Sequence, residues 1–510
     1  MAEERLTRRV RLVEDERAAV VRIRTADRLL LEKHVFQRYP HREWGTFFRF
    51  GWARTPWGLA ISYADGLWPE AGDLDRQTGM TTFRDQYTRR ALQAAAGKDR
   101  LAVGVVHSHP ESYLTTPSWL DDDMDEYFSR EFASYSNGAP YCSLILERND
   151  ATGLSFSGRV YDRGEWLPVR DLFTVGSERL ERQTSALLEA DERPGRAEPE
   201  TTLRLQSLMG TASARRLRAA TVAVIGCSGT GSPAIEVLAR AGVGRFVLVD
   251  PERLSPSNLE RMHGAFHRHL SLTSLPYKVD LMREMIAEIN PEARVTTFAG
   301  NVLHENVFHE LLRCDLILGC VDSYHGRVAL SDLAAHYLVP SLDVGLGMAG
   351  QDGRLTEQVV DITQFGPDLP CAYCRERVDS AALAQELMTD EERAHRMAEA
   401  ERAAERGDDP DQYWRRRPRQ LHTVGYLTTT AGAMTAGYAQ GWLTGTFVPP
   451  HPSFQFDIGR ERLGCVAPPQ GRTPTCHCNA HVGWGDSART YRNVVLPQHW
   501  SKRAVLRTRS

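Results

Sequence analysis

No stretch of these 510 residues approaches the run of roughly 18 uncharged apolar residues that a membrane-spanning helix requires. An excess of one charge is missing too. With 62 Lys and Arg against 66 Asp and Glu, the net charge is −4 and the pI near 6.5. Neither nucleic acid nor a membrane surface is therefore expected as the main partner. The opening MAEERLTRRV carries charge with no apolar signal core behind it, so the expected location is the cytoplasm. Cysteine is scarce: nine residues, an odd number. In a reducing compartment that excludes a disulfide framework and turns attention to spacing. Internal repeats are absent.

What is present fits an ordinary globular protein, 42% hydrophobic and 25% charged. The length exceeds what one core organises and implies two or three domains. Strand candidates fill the first part: GTFFRF (45–50), GLAISYA (58–64), LAVGVV (101–106), CSLILE (142–147) and LSFSGRVY (154–161). One helix candidate, residues 83–97, lies among them, giving an α+β domain over 1–175. Residues 176–201 are polar and read as a short helix followed by a linker. From 202 to about 500 the pattern changes. TVAVIG, RFVLVD, ARVTTFAG and CDLILGC alternate with helical segments 232–242 and 277–290, which predicts an α/β Rossmann-like domain with a mostly parallel sheet. Residues 375–420 form a charged insert, most simply a surface helical excursion.

The segment GVVHSHPESYLTTPSWLD (104–121) raises a chemical question. Residues two apart on a strand face the same side, so His107 and His109 can address one metal. Zinc takes imidazole nitrogen and carboxylate oxygen, and a catalytic zinc keeps three protein ligands and a water. Asp121 supplies the third ligand. Glu43 suits a base that takes the proton of that water, and Ser118 could donate to an oxyanion. A surface turn is the bland alternative for HSHP. Glu43, His107-Ser108-His109-Pro110 and Ser118-Trp119-Leu120-Asp121 together resemble the JAB/JAMM (MPN) metalloprotease family, and Glu43-Trp44-Gly45 fits its Glu-x-Gly context. The resemblance implies zinc-dependent cleavage after the C-terminal glycine of ubiquitin-like proteins. The loop from His109 to Ser118 is one residue longer than the family's usual spacing.

VAVIGCSGTGSPAIEVLARAGVGRFVLVD opens with a strand and leads into a helix. Gly226, Gly229 and Gly231 would let backbone N–H groups approach phosphates, and Asp250 ends the next strand, where an acid binds ribose. A dinucleotide dehydrogenase would open the same way. The residues after Val249 separate the two. LVDPERLSPSNLERM resembles the corresponding segment of ThiF/MoeB-like activating enzymes. By that resemblance Asp250, Asn258 and Arg261 are its acid, amide and phosphate-binding arginine. Lys278 is its ATP-phosphate lysine, Asp322 its Mg2+ ligand, and Arg327 stands in its usual arginine position. Arg204 in LRLQSLMG matches, loosely, an arginine that crosses a homodimer to the partner's ATP. The chemistry implied is acyl-adenylate formation from ATP.

PDLPCAYC and GRTPTCHCNAHVG place Cys371 and Cys374 in one pair and Cys476 and Cys478 in another, where the family often holds a structural zinc. The second pair is one residue tighter than usual. Redox activity, or a nucleophile in the first pair, is the alternative. Many relatives carry a thioester cysteine a few residues before the Gly-rich segment 422–440, but here that position reads RQLHTVG. Cys465 is the remaining late candidate, in a strand-like stretch that equally suits packing.

Together these resemblances imply a fusion like those of bacterial ubiquitin-like conjugation systems, some associated with antiphage defence. The expected cofactors are catalytic and structural Zn2+, ATP and Mg2+. The expected partners are a ubiquitin-like protein and a separate conjugating enzyme. Processing and adenylation of a sulfur-carrier protein is the rival reading. A scaffold without chemistry and an NAD oxidoreductase are further alternatives.

Overall fold

The apolar runs of the N-terminal region become strands whose ends meet. The computed structural model describes residues 10–13, 16–75, 82–97, 99–110, 115–149, 153–188, 199–408, 423–447, 451–459, 462–465, 471–488 and 504–507. The first region holds β1 (Ala18–Arg24), β2 (Gly45–Thr55), β3 (Gly58–Leu67), β4 (Ala102–Ser108), β5 (Tyr141–Asn149), β6 (Gly153–Asp162), β7 (Glu165–Val175) and β8 (Leu180–Thr184), with helices α1 (Thr25–Val35), α2 (Asp85–Ala95) and α3 (Trp119–Tyr135). Strand order is β1-β3-β2-β4-β5-β6-β7-β8, and β1 pairs in parallel with β7 as well. Seven strands thus close into a barrel, a closure absent from the sequence expectation of an α+β domain. It depends on a pairing between distant segments, Ala19 beside Val169, that no local pattern announces.

The pleat sorts side chains onto two faces. Ala102 and Val106 of β4 join a cluster fed by all seven barrel strands and by Leu31 and Val35 of α1. Val103 and Val105 face the other way, against Tyr87 and Ala91 of α2 and Phe128 and Phe132 of α3. Each fully buried Val, Leu or Phe among them contributes about 1.5–3 kcal/mol. His107 continues the odd-numbered face, so it points toward α3.

The helix expected at the start of 176–201 is a correction: Leu180–Thr184 is strand β8, paired antiparallel to β7 from Asp171 to Val175. A neighbouring strand with open N–H and C=O groups outweighs the weak helical tendency of LERQT.

The second region holds β9 (Thr221–Ile225), β10 (Arg245–Val249), β11 (Arg294–Ala299), β12 (Leu316–Gly319), β13 (Ser341–Gln351), β14 (Arg354–Phe365), β15 (Ser453–Asp457), β16 (Arg462–Cys465) and β17 (Val505–Leu506). Its helices are α4 (Leu203–Met209), α5 (Thr211–Ala219), α6 (Gly231–Arg240), α7 (His267–Leu270), α8 (Lys278–Ile289), α9 (Glu305–Leu311), α10 (Tyr324–His336), α11 (Ser380–Glu386), α12 (Asp390–Glu405), α13 (Gly425–Thr444) and α14 (His477–Ala480). The sheet runs β16-β15-β14-β13-β12-β9-β10-β11-β17. Its centre, β11-β10-β9-β12-β13, is parallel with α-helical crossovers, the Rossmann-like arrangement. The expectation of a mostly parallel sheet is corrected: β14, β15, β16 and β17 all pair antiparallel. The cause at β13–β14 is a two-residue hairpin turn, Asp352-Gly353, both at positive φ (53° and 75°).

The two regions share buried contacts. Arg22 of β1, 1% exposed, donates to the carbonyls of Leu312 (2.5 Å) and Cys314 (2.8 Å). Trp57 Nε1 donates to His309 O at 2.8 Å, and Trp442 Nε1 to Gly176 O at 3.0 Å. Beyond Cys478, Gly51 N donates to Gly483 O and Asp486 N to Trp52 O, both at 3.0 Å. No helix among the described residues is long and apolar enough to cross a membrane.

Candidate functional site

Three constellations gather the residues singled out in the sequence. The first sits where β4 ends and α3 begins. Ser118 is the N-cap of α3: its Oγ accepts from Asp121 N at 3.3 Å, and Asp121 Oδ2 accepts from Ser118 N at 2.6 Å. This reciprocal box pins the Asp121 carboxylate at the helix start. Its Oδ1 lies 3.0 Å from His107 Nε2, and its Oδ2 3.4 Å from His109 Nε2. All three side chains are buried, and their ligand atoms lie within 4.8 Å of one another.

The neighbouring groups shift the charges of this set. Burial works against ionised Asp121, yet His107, His109 and the Ser118 box hold it far below the usual carboxylate range. Burial pushes His107 down, but Asp121 outweighs it and the imidazole is raised. The ring nitrogens of His107 are buried, and the Asp121 carboxylate stands 3.0 Å from Nε2. Two buried imidazoles converging on one buried carboxylate are a costly arrangement that a shared cation would relieve. The donor set and its spacing therefore fit zinc.

Glu43 and Ser118 line the same cavity as His107 and Asp121, a space of about 700 Å³ whose lining also includes Phe83, Leu92, Leu120, Met124 and Phe128. As N-cap, Ser118 Oγ uses a lone pair and keeps its O–H as a donor. The sequence reading named Ser108 within its motif but gave it no role. Its Oγ donates to Val35 O at 2.6 Å and accepts from Trp44 N at 3.2 Å, tying the HSH strand end to the segment that carries Glu43. The box itself was legible as Ser-x-x-Asp before a helix.

The second constellation is a cavity of about 590 Å³ at the C-terminal ends of the parallel strands. Gly226, Gly229, Asp250, Asn258, Arg261, Lys278, Asp322 and Arg327 all line it. Gly226 has φ +91° and Gly231 opens α6; a Cβ on Gly231 would stand 1.9 Å from Gly226 O. Only glycine lets that turn close onto the helix. Asp250 accepts from Cys227 N and Glu252 N, both at 2.8 Å, and burial raises it against the pull of Lys278. Buried Lys278 pairs with Glu252, a residue the sequence reading passed over. Asn258 Oδ1 accepts from Ser255 N at 2.9 Å and so braces the turn before Arg261. Asp322 is exposed at the cavity wall. Arg327 is committed elsewhere, donating to Asp343 Oδ2 at 2.7 Å and to Arg377 O at 3.2 Å. Arg204 is exposed on α4 and does not line this cavity.

The third constellation is Cys371, Cys374, Cys476 and Cys478, with sulfurs again within 4.8 Å of one another. Cys371 and Cys476 sulfurs are 3.6 Å apart, those of Cys374 and Cys478 3.8 Å. A tetrahedron of Zn–S bonds of about 2.3 Å has edges of about 3.8 Å, whereas a disulfide would need about 2.05 Å. The tighter Cys-x-Cys spacing is accommodated because α14 starts at His477 between the two ligands. Backbone N–H groups of Cys374 and Thr473 point at the sulfurs of Cys371 (3.5 Å) and Cys374 (3.4 Å), which favours thiolates. Cys465 ends β16 opposite Phe454, and its side chain lies outside the described residues, as does the RQLH segment.

Comparison with known proteins places this geometry. The chain is 31% identical over 159 residues to the adenylyltransferase and sulfurtransferase UBA4 of Eremothecium gossypii, covering 31% of this chain and 33% of that protein. It is 31% identical over 160 residues to the tRNA threonylcarbamoyladenosine dehydratase of Escherichia coli K12, covering 31% of this chain and 58% of that one. The chain thus spans about a third of the length of such fungal relatives. A crystal structure of E. coli MccB with MccA-N7isoASN aligns at 15% identity and TM-score 0.41, over 55% of this chain and 75% of that one. The ThiF family model matches residues 201–478, more than half of the chain and all of the nucleotide-type cavity's named residues; the chain belongs to the ThiF family.

Proposed function

We propose that the chain is a bifunctional enzyme acting on the C-terminus of a ubiquitin-like protein. Residues 1–175, extended by β8, would form a zinc peptidase of the JAB/JAMM (MPN) type, and residues 202–500 an ATP-dependent adenylating domain. The ThiF match begins at residue 201, so the peptidase half rests on its own geometry. The observation that carries the adenylating half is the convergence of Gly226, Asp250, Asn258, Arg261, Lys278 and Asp322, from separate segments, on one cavity. The adenylyltransferase named among the relatives supports it.

In the adenylating step a carboxylate oxygen of the tail attacks the α-phosphorus of ATP. One P–O bond forms, the bond to pyrophosphate breaks, and pyrophosphate leaves. Arg261, Lys278 and the N-terminus of α6, all at this cavity, would offset the growing negative charge, and Asp322 would hold Mg2+. In the peptidase step His107, His109 and Asp121 would hold zinc, which supplies Lewis acidity and brings the pKa of bound water toward neutrality. Glu43 would take the water's proton as the water oxygen bonds to the carbonyl carbon and would return it to the amine as the C–N bond breaks, while Ser118 O–H would donate to the carbonyl oxygen as it gains charge. The apolar wall from Phe83 to Phe128 suits an extended tail. One chain keeps both sites near one substrate at high effective concentration.

Sulfur-carrier processing is favoured by one observation. Among the described residues outside the four-cysteine cluster, Cys142, Cys227, Cys314 and Cys320 are all pushed up by burial, Cys320 to about 12. None has the environment of a thioester nucleophile. The adenylate would then pass directly to another acceptor, and the fungal relatives are named sulfurtransferases. A conjugating enzyme, a homodimer through Arg204 and a role in antiphage defence belong to the conjugation reading.

The test supplies ATP, Mg2+ and a ubiquitin-like carrier ending in glycine, and follows pyrophosphate exchange and carrier mass. Carrier-dependent exchange lost in Lys278→Ala, with tail cleavage lost in Glu43→Gln alone, supports two separate sites. An isopeptide-linked product favours conjugation and a thiocarboxylate favours sulfur transfer. No exchange with any carrier sinks the adenylating half.

A further inference from the structure

Two helix N-termini open toward the nucleotide-type cavity, those of α6 and α10. They are finished differently. The first turn of α6 has no side-chain cap. At α10, Ser323 Oγ accepts from Gly326 N at 3.3 Å, and Glu386 accepts from Tyr324 N at 3.0 Å and from His325 N at 2.9 Å. Glu386 is the last residue of α11, inside the charged insert expected to be a surface excursion. A carboxylate there consumes N–H donors and offsets the positive end of the helix dipole. A phosphate arriving at α10 would meet like charge. At α6, where Ser232 N is bonded to Ser228 O and Pro233 has no N–H, it would meet the glycine loop and no capping carboxylate.

The same carboxylate orients a ring. Glu386 Oε2 lies 2.8 Å from His325 Nδ1, and His325 Nε2 lies 2.9 Å from Asn301 Nδ2. The amide nitrogen can only donate, so Nε2 accepts and Nδ1 carries the proton given to Glu386. Asn301 Oδ1 in turn accepts from Leu303 N at 3.0 Å. His325, Asn301 and Asp322 share the cavity wall, and Asp322 immediately precedes the cap of α10.

We infer that Glu386 is a positioning residue of the nucleotide site: through Tyr324 and His325 it holds the turn that presents Asp322 to Mg2+, and it closes the α10 terminus so that phosphates seat at α6. The inference rests on the ATP reading above. Glu386 remains a carboxylate because the His325 ring and both N–H groups outweigh its burial and hold it below the usual glutamate range.

The experiment measures ATP binding to the full chain by calorimetry across a Mg2+ series, with thermal melts in parallel, for wild type, Glu386→Ala, Glu386→Gln, Asp322→Ala and the surface control Glu391→Gln. Glu386→Ala is expected to raise the Mg2+ concentration for half-maximal ATP binding about tenfold, the equivalent of one lost charged hydrogen bond. Glu386→Gln keeps one acceptor oxygen and should fall between. Glu391→Gln should match wild type. If Asp322→Ala raises the Mg2+ requirement while both Glu386 variants do not, the inference is overturned and the ATP reading stands. If Asp322→Ala changes nothing, the ATP reading itself fails and takes the inference with it. An affinity loss equal at every Mg2+ concentration, with a lowered melting temperature, would mark general damage and also overturn a positioning role. Should Glu386→Ala fail to fold, Glu386→Gln carries the test.

Discussion

The barrel and the Rossmann-like region each gather a set of metal-type ligands, and the two sets differ in almost every respect. His107, His109 and Asp121 come from a strand end and a helix start, number three, and border a cavity of about 700 Å³. Cys371, Cys374, Cys476 and Cys478 come from one turn and the start of α14, number four, and pack against buried Ala335 with backbone N–H groups on the sulfurs of Cys371 and Cys374. Three ligands beside open space leave a coordination position for chemistry, while four thiolates leave none. Ligand count and an adjoining cavity, more than burial, distinguish the two sets, and on the proposed reading they separate a catalytic zinc from a structural one.

The comparison breaks first at the cysteines. Cys476→Ser is expected to lose one zinc per chain by mass spectrometry. It should also destabilise the fold by about 4 kcal/mol when zinc stands about 1,000-fold above its Kd, because metal bound only to the native state adds its binding energy to stability. Chemical denaturation reads this, and the segment after Cys478 that bonds to Gly51 and Trp52 should lose amide protection with it. His109→Ala should lose the other zinc and leave stability nearly intact. Loss of stability in His109→Ala instead would invert the assignment.

Next in size, Glu43→Gln should retain both zincs and lower tail cleavage about a hundredfold or more, the usual range for removing a general base. Undiminished cleavage would move the base elsewhere. A chelator sharpens the contrast further. With one position open to it, the histidine–aspartate site should surrender zinc at least roughly tenfold faster than the closed thiolate site, where attack needs a ligand to leave first. Equal rates would mean that the thiolate site is open too. The smallest effect concerns the seam between the regions: Trp57→Phe removes the bond to His309 O and should cost about 1 kcal/mol in global stability. A change in zinc content there would show that the seam reaches a metal site.

Much of the candidate chemistry was legible because it is written in local spacing. His107 and His109 share a face by strand alternation, Ser118 and Asp121 spell a helix cap, and Gly226 and Gly231 occupy positions where a Cβ has no room. What was not legible depends on pairing across distance. The helix assigned after residue 176 is a strand because β7 offers it an edge, and the half-antiparallel sheet stems from a hairpin at Asp352-Gly353 that a βαβ reading passes over. The insert is another case. Its composition gave α12 as an exposed helix, while Glu386, whose carboxylate holds His325 of the cavity wall, has no motif around it.

Residue types at short spacing determined the phosphate-type loop, the helix caps and each close pair of candidate ligands, since these need only neighbouring backbone geometry to form, whereas folding alone brought Cys371 and Cys374 to Cys476 and Cys478. Tertiary structure alone decided that β1 closes on β7, that Arg22 is buried against the carbonyls of Leu312 and Cys314, and that Glu386 meets His325. These contacts join groups far apart in sequence, and their energy depends on burial and direction that exist only once the chain has folded.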